Sequence, residues 1–316
     1  MKAAPLLISF HELGSYIEAL PESQKRRYAD EISKLAEAKL PPVVSPYCLA
    51  ILFGYSREFI HAMSKQQHKF YRTFTIHKGR KRRTIQAPKV ALKVIQKWIG
   101  YHLCQAIQRP EHVFGFIPGC SAKMAAEQHC NALWVYSIDI KDFFPSISDE
   151  LVESALQELG YSEMGSKLIT SLCCFNGVLA QGSPASPTLS NLIMIKVDDD
   201  LRKLSEELNI SVTRYADDIV FSGKNEFPEG LGGQISNIFQ DAGLELNEEK
   251  EYFADSRKGQ RLKVHGLLVN SDKPRLPKGY RNKVRAYKHL LNSGKVSEGD
   301  LKRLLGHVNY ANSIES

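Results

Sequence analysis

The sequence predicts an α+β fold, because short strand-like segments and long helical patterns follow one another along the chain. Leu133 to Ile138 is a short apolar run typical of a buried strand. Residues 212–222 place two apolar arms, rich in β-branched and aromatic side chains, around a tight turn. Apolar residues recur at helical spacing from Leu92 to Leu103 and again from Leu189 to Leu208. These patterns indicate an α+β chain and do not by themselves specify its topology.

The other elements are predicted from capping residues, turn residues and periodicity. In chain order we expect a helix over Gln24 to Lys39, two strands over Phe70 to Ile76 and Arg83 to Gln86 around a basic hairpin tip, a helix capped by Ser148, a single longest helix from Ser183 to Leu208, a strand from Arg261 to Val269, and helices over Tyr280 to Leu291 and Ser297 to Tyr310.

Composition indicates a globular protein with a substantial core. The chain has 316 residues, of which 43% are hydrophobic and 24% charged, and no apolar run reaches membrane-spanning length. The six cysteines show no Cys-x-x-Cys pairing, which favours free thiols in a reducing cytoplasm over disulfides or a zinc site. We therefore expect a cytoplasmic protein without a membrane partner.

The net charge of +7 is distributed unevenly along the chain. Residues 59–110 contain 12 Lys or Arg and no Asp or Glu, and residues 256–289 contain 11 Lys or Arg and one acid, Asp272. Solvated surfaces usually mix the two signs, whereas these segments are one-sided and enclose an acidic middle. This pattern indicates contact with a polyanion such as nucleic acid.

The acidic middle contains three carboxylates that we expect to converge. Asp217 and Asp218 are adjacent in the predicted turn, and two charges ~4 Å apart repel by ~4 kcal/mol at an effective dielectric of about 20. Asp139 stands at the end of the strand that begins at Leu133. Each has an ordinary alternative, a solvated turn or a helix cap, but together they form the oxygen-rich site that Mg²⁺ prefers. The run Asp198 to Asp200 receives no chemical role, because successive helix positions point in different directions.

The run Tyr215-Ala216-Asp217-Asp218 resembles the reverse transcriptases. Other family motifs occur in the expected order and spacing, and the resemblance extends from about Leu49 to about Val269. They are Arg83 to Pro88, Phe114 to Gly119, Gln181 to Pro187 and Gly243 to Lys250.

This resemblance implies a right-hand polymerase architecture with fingers, palm and a small helical thumb. The implied domains are an N-terminal helical appendage over 1–45, fingers and palm over 46–270, and a basic thumb over 271–316. Asp139, Asp217 and Asp218 are the implied catalytic residues, and with the backbone carbonyl of Ile140 they would hold two Mg²⁺ ions, for which Mn²⁺ could substitute.

The resemblance also implies a dNTP pocket. Phe144 falls at the position of the family's aromatic steric gate, although a core phenylalanine is the ordinary alternative. Lys78 and Lys250 have solvated or nonspecific alternatives too, and Arg80, Lys81 or Arg82 could replace Lys78. The predicted dNTP-binding residues are Lys78, Arg83, Phe144, Gln181, Gly182 and Lys250.

Among reverse transcriptases the chain is most similar to the bacterial retron enzymes, with two departures. Ala125 replaces an asparagine in one retron signature and His265 replaces a threonine in another, while His129 and Gly266 are retained. The alternatives are another small bacterial reverse transcriptase, of abortive-infection or diversity-generating type, and a noncatalytic RNA-binding scaffold.

A retron enzyme implies several partners. It would copy its own structured noncoding RNA, prime from an RNA 2′-hydroxyl and yield a branched RNA–DNA molecule in antiphage defence. Its partners would be dNTPs, the DNA product, an effector protein encoded nearby and host RNase H. The predicted nucleic-acid contacts are Tyr215, His129, Arg281, Lys283, Arg285 and Lys288.

Overall fold

The computed structural model describes residues 4–78, 81–293 and 296–315, without the side chains of Lys78 and Lys81. The chain forms two compact units, each built from two stretches of sequence. The first contains Met1–Arg109 and Lys141–Lys196, and the second contains Pro110–Ile140 and Val197–Ser316. The three-part division into appendage, fingers with palm, and thumb stays a prediction.

Within the described residues, the α-helices in chain order are α1 (Leu13–Glu18), α2 (Glu22–Glu37), α3 (Pro46–Phe53), α4 (Arg57–Lys65), α5 (Val90–Ala106), α6 (Ala122–Glu127), α7 (Phe143–Ser146), α8 (Asp149–Glu158), α9 (Glu163–Cys173), α10 (Ser186–Ile193), α11 (Ile195–Glu207), α12 (Leu231–Asp241), α13 (Lys278–Asn292) and α14 (Glu298–Glu315). The strands are β1 (Tyr71–Lys78), β2 (Lys81–Pro88), β3 (Trp134–Asp139), β4 (Cys174–Phe175), β5 (Val178–Leu179), β6 (Ser211–Tyr215), β7 (Asp218–Gly223), β8 (Tyr252–Asp255), β9 (Lys263–Val264) and β10 (Leu267–Leu268).

The first unit contains the basic hairpin that the sequence predicts. Strands β1 and β2 pair antiparallel from Tyr71 with Pro88 to Lys78 with Lys81, while the tip at residues 79–80 lies outside the described residues. The hairpin base is fixed by Gln96 of α5, whose Nε2 donates to the Tyr71 hydroxyl and to the Leu172 carbonyl, each at 2.6 Å. This buried hydrogen-bond network attaches the hairpin to the helices of its unit.

The second unit is built on a four-stranded antiparallel sheet in the order β6-β7-β3-β8. Side chains of successive strand residues point to opposite faces, so Val135, Ser137 and Asp139 share one face of β3. On that face, Val135 belongs to a buried cluster with Val220 and Ala254. The cluster continues through β9 and β10 to Val284 of α13 and Ile314 of α14. The C-terminal helices are therefore packed onto the same core as the sheet.

Two predicted elements are wrong in extent. The single longest helix from Ser183 to Leu208 is two helices, α10 and α11, separated at Met194, and α14 is longer than either. Helix α10 begins only at Ser186, which keeps Pro187 in the first turn, where proline is tolerated. Within it, the Ser190 hydroxyl donates to the Pro187 carbonyl, a bond that often bends helices. The apolar stripe continues through both helices, so helical periodicity in the sequence does not reveal the break.

The predicted strand from Arg261 to Val269 is also wrong, because it is a hairpin of two short strands, β9 and β10. His265 and Gly266 between them both have positive φ, 48° and 82°, which no strand residue adopts. No helix of the described residues is long and apolar enough to cross a membrane.

Candidate active site

The sheet of the second unit brings two of the three predicted carboxylates opposite each other. Asp139 ends β3 and Asp218 begins β7, and they form the last cross-strand pair of the β3–β7 ladder. Directly opposed residues have Cβ atoms ~4.5–5.5 Å apart. Asp217 lies beside them in the β6–β7 turn, where the Ile140 amide donates to its carbonyl at 3.0 Å. The predicted convergence is therefore present at the level of the backbone.

The turn that carries Asp217 has an uncommon backbone conformation. Ala216 has a φ of 61°, in the left-handed region that alanine rarely occupies. Gly115 packs directly against it, because a Cβ at that position would lie 2.0 Å from the Ala216 nitrogen. A side chain at position 115 would displace the turn, so the glycine is required for this close approach.

Each opposed carboxylate has a partner from a distant part of the chain. Lys250 Nζ lies 2.5 Å from Asp139 Oδ1. The Ser137 hydroxyl donates to Asp218 Oδ1 at 3.0 Å, and His265 Nδ1 lies 3.0 Å from Asp218 Oδ2. The protein thus supplies one cation and two hydrogen-bond donors to a pair of carboxylates that would otherwise repel each other.

Burial raises the pKa of Asp139, whose side chain is only 13% exposed. The bond from Lys250 acts in the opposite direction and lowers this pKa, while the negative charge of Asp217 raises it further. The site therefore disfavours additional uncompensated negative charge and favours a cation beside Asp139.

The donor set suits a hard divalent cation. Carboxylates and the Ile140 carbonyl offer the oxygens that Mg²⁺ and Mn²⁺ accept, without a soft ligand among them. No group of three His, Cys, Asp or Glu side chains in the described residues is already arranged around a metal position. In this structure Asp139 contacts Lys250, while Asp218 accepts hydrogen bonds from Ser137 and His265, so metal binding would require Asp139 to exchange Lys250 for the ion.

A buried ion pair, absent from our sequence-based site, supports the turn from behind. Arg214 Nε and Nη2 each donate to an Asp198 oxygen at 2.6 Å, and both side chains are almost fully buried. Arg214 Nη1 also donates to the Ala216 carbonyl at 3.1 Å. The guanidinium therefore holds the backbone next to Asp217. The signal in the sequence was an arginine within an apolar arm, since a buried charge must be paired.

The predicted dNTP residues other than Lys250 belong to the first unit. Gly182 has a φ of 138°, and a Cβ there would lie 2.7 Å from the Gln86 carbonyl oxygen. The backbone amide of Gln181 donates to the side-chain Oε1 of Gln86 at 2.9 Å, and the backbone amide of Gln86 donates to the backbone carbonyl of Gln181 at 2.9 Å. Arg83 is exposed on β2, Phe144 is half-buried on α7, and the Lys78 side chain lies outside the described residues. Gln181 and Gly182 are thus joined to the basic hairpin.

The predicted nucleic-acid contact of His129 is wrong. Its side chain is 1% exposed, and its ring nitrogens lie 2.7 Å from the Ser222 and Thr213 hydroxyls. Burial lowers its pKa to about 3, and the neighbouring His265 contributes to the shift. His129 is therefore a neutral core residue that ties α6 and its following turn to the sheet.

The other predicted nucleic-acid residues remain available to a ligand. Tyr215 is half-buried, with its ring 5.3 Å from that of His265. The four cationic residues of α13 are exposed, namely Arg281, Lys283, Arg285 and Lys288.

Comparison with known proteins assigns this architecture to a family. The reverse transcriptase (RNA-dependent DNA polymerase) family matches residues 76–274, which include every carboxylate of the site. The chain belongs to the reverse transcriptases. It is 30% identical to the retron Ec86 reverse transcriptase of Escherichia coli, over 78% of this chain and 77% of that enzyme. It is also 30% identical to the retron Mx162 reverse transcriptase of Myxococcus xanthus, over 91% of this chain and 66% of that enzyme.

This reverse transcriptase is therefore of the retron type and is an RNA-directed DNA polymerase. Its fold is the right-hand polymerase fold, as predicted, and the family generally uses divalent metal ions. An RNA template and a DNA product follow from the same membership. Among solved structures, a telomerase from Candida albicans is similar with a TM-score of 0.47 and 13% identity, covering 81% of this chain and 58% of that one.

Proposed function

We propose that this reverse transcriptase copies its own structured noncoding RNA, primes DNA synthesis from an RNA 2′-hydroxyl and produces a branched RNA–DNA molecule. The observation that carries the proposal is the opposed pair Asp139 and Asp218 beside Asp217, in a chain whose relatives are retron enzymes. These carboxylates lie at the ends of sheet strands and are partly exposed, as an attacking hydroxyl and a nucleotide require.

Asp139, Asp217, Asp218 and the Ile140 carbonyl would hold two Mg²⁺ ions, or Mn²⁺ in their place. When bound, the ions would activate the attacking hydroxyl and neutralise charge on the leaving pyrophosphate. Lys250, which contacts Asp139 in this structure, would be released by metal binding. Its flexible ammonium group could then donate to the pyrophosphate.

The nucleotide would be held by Lys78, Arg83, Gln181, Gly182 and Lys250, with Phe144 excluding a ribose 2′-hydroxyl. The close approach of Gly182 to the hairpin backbone supports a role in shaping this pocket. Arg83 is exposed, as a bidentate phosphate ligand must be before the nucleotide arrives.

The enzyme's own RNA would be bound in part by the cationic side of α13. Arg281, Arg285 and Lys288 recur at spacings of four and three, so they share one side of the helix, while Val284 is buried in the core cluster. A rigidly packed basic helix suits recognition of a folded RNA by its shape and backbone. Tyr215 would contact nucleic acid beside the carboxylates.

In the cell, the branched product would act in cytoplasmic antiphage defence together with an effector protein, and host RNase H would remove the copied RNA. Sequencing the nucleic acid that co-purifies with the full-length protein tests the proposal. We expect one RNA species joined to DNA through a 2′-linked nucleotide. Recovery of only unrelated RNAs, without any RNA–DNA junction, would contradict it.

A further inference from the structure

His265 occupies a turn that fixes where its side chain points. With φ values of 48° and 82°, His265 and Gly266 have the two positive φ angles of a two-residue type I′ hairpin turn between β9 and β10. Histidine is among the few non-glycine residues enriched in this left-handed region. The turn therefore accepts His265 without requiring it, so the turn alone does not explain the imidazole.

The imidazole is placed against Asp218. Its Nδ1 lies 3.0 Å from Asp218 Oδ2, while the Ser137 hydroxyl donates to the other carboxylate oxygen at 3.0 Å. The His265 side chain is 6% exposed and Asp218 is 36% exposed, so the ring covers one side of a carboxylate that remains open on another. The ring of Tyr215, the cross-strand neighbour of Asp218, packs at 5.3 Å and keeps the imidazole in place.

We propose that His265 is a positioning residue that holds the Asp218 carboxylate in the orientation needed for metal binding; this rests on the proposed function, in which Asp218 is a metal ligand. Donors that hydrogen-bond to a ligating carboxylate orient it, and their removal typically lowers metal affinity or activity by ~10–100-fold. Ser137 restrains one oxygen of Asp218, and His265 restrains the other. Through His265 the β9–β10 hairpin is connected directly to the catalytic turn.

Histidine at position 265 departs from the retron signature. The retron signature carries a threonine at this position, and the threonine hydroxyl is attached one atom closer to the backbone than imidazole Nδ1. Histidine therefore reaches further from the same turn. The second nitrogen, His265 Nε2, is buried and has no hydrogen-bond partner among the described residues. Leaving a buried polar atom unpaired costs free energy. The histidine carries this cost at Nε2, which is consistent with a side chain placed here for the contact that Nδ1 makes with Asp218.

Two variants separate the donor from the turn. His265→Asn keeps a donor nitrogen at the same number of bonds from the backbone as Nδ1, whereas His265→Gly removes the donor, and both residues are favoured in a type I′ turn. The measurement is a Mn²⁺ titration of the full-length protein on a primed RNA template with a non-incorporable dNTP analogue. Thermal unfolding without metal shows the temperature below which each variant is folded, and all titrations are done below it.

We expect His265→Gly to raise the Mn²⁺ dissociation constant by about 10–100-fold, while His265→Asn stays near the wild-type value. Equal weakening in both variants, or none in either, overturns the proposal. Asp217→Asn in the same titration separates the two ideas. If it binds Mn²⁺ as the wild type does, the proposed metal site itself is wrong. If it loses Mn²⁺ while His265→Gly does not, only the role of His265 is wrong.

Discussion

Replacing Asp198 by asparagine should destabilise the protein severely, although the change removes only one charge. Asp198 accepts two bonds of 2.6 Å from Arg214, and the two side chains are 1% and 0% exposed. The Asp198→Asn variant leaves the guanidinium buried without a counter-charge. Breaking a buried pair in this way costs about 3–5 kcal/mol, a large part of the ~5–15 kcal/mol that stabilises a typical protein.

The neighbouring aspartate provides a matched control. Asp199 is 46% exposed and pairs with Arg202 and Lys203 on the surface of the same helix. Such exposed pairs contribute ~0–1 kcal/mol, so Asp199→Asn should leave stability almost unchanged. Urea unfolding followed by circular dichroism measures both variants, with the free energy taken from the midpoint and the slope.

A third variant tests whether the pair also positions the turn that carries Asp217. In Asp198→Leu/Arg214→Met both charges are replaced by apolar side chains, which often restores stability when a buried pair is removed as a unit. The bond from Arg214 to the Ala216 carbonyl is lost all the same. We expect this variant to be more stable than Asp198→Asn but poor at primer extension. Equal stability of Asp198→Asn and Asp199→Asn would refute the reasoning.

Three further predictions concern sugar selection, RNA specificity and pH. Phe144→Ala should raise the use of ribonucleotides relative to dNTPs, measured as a ratio of kcat/KM values. An unchanged ratio would mean that Phe144 is an ordinary core residue and not a steric gate. Exchanging residues 274–316 for those of a related enzyme should transfer initiation to that enzyme's RNA, and a chimera that still initiates only on the RNA of its unexchanged body would locate specificity elsewhere. Because the folded-state pKa of His129 is lowered to about 3, the unfolded chain binds a proton there below pH ~6.5 that the folded chain does not. The free energy of unfolding should therefore fall by up to about 1.4 kcal/mol per pH unit as the pH is lowered from 6.5 towards 3. The fall should be less steep in His129→Asn. Equal slopes of unfolding free energy against pH in the wild type and His129→Asn would contradict this.

The local elements of the site could be predicted from sequence because their signals are local. Apolar runs and β-branched content indicate the strands that end at Asp139 and begin at Asp218, and the structure confirms the hairpin between β6 and β7. Adjacent like charges in its turn predict a cationic partner; in the structure Asp218 is contacted by Ser137 and His265, and the cation Lys250 pairs with Asp139 instead. Periodicity and residue type are sufficient for inferences of this kind.

The partners themselves could not be predicted, because they depend on tertiary contacts. Lys250 is 111 residues from Asp139 in the sequence, and His265 is 47 residues from Asp218. Asp198 belongs to a run of three aspartates whose members differ only in which side of the helix they occupy, and only the fold turns Asp198 towards Arg214. The interpretation of His129 as a nucleic-acid contact was wrong for the same reason, since burial is a property of the folded chain.

The most direct test of the active site is primer extension on an RNA template by the wild type, Asp217→Asn and the surface control Asp199→Asn. Asp217→Asn removes the charge of a proposed metal ligand with little change in volume, so the fold and its unfolding temperature should be retained. Losing a group that stabilises charge in the transition state costs about 10²-fold or more. We predict that Asp217→Asn loses Mg²⁺-dependent dNTP incorporation by at least ~10²-fold while Asp199→Asn extends like the wild type. Wild-type extension by Asp217→Asn would show that the chemistry does not depend on this carboxylate and would contradict the assignment of the site.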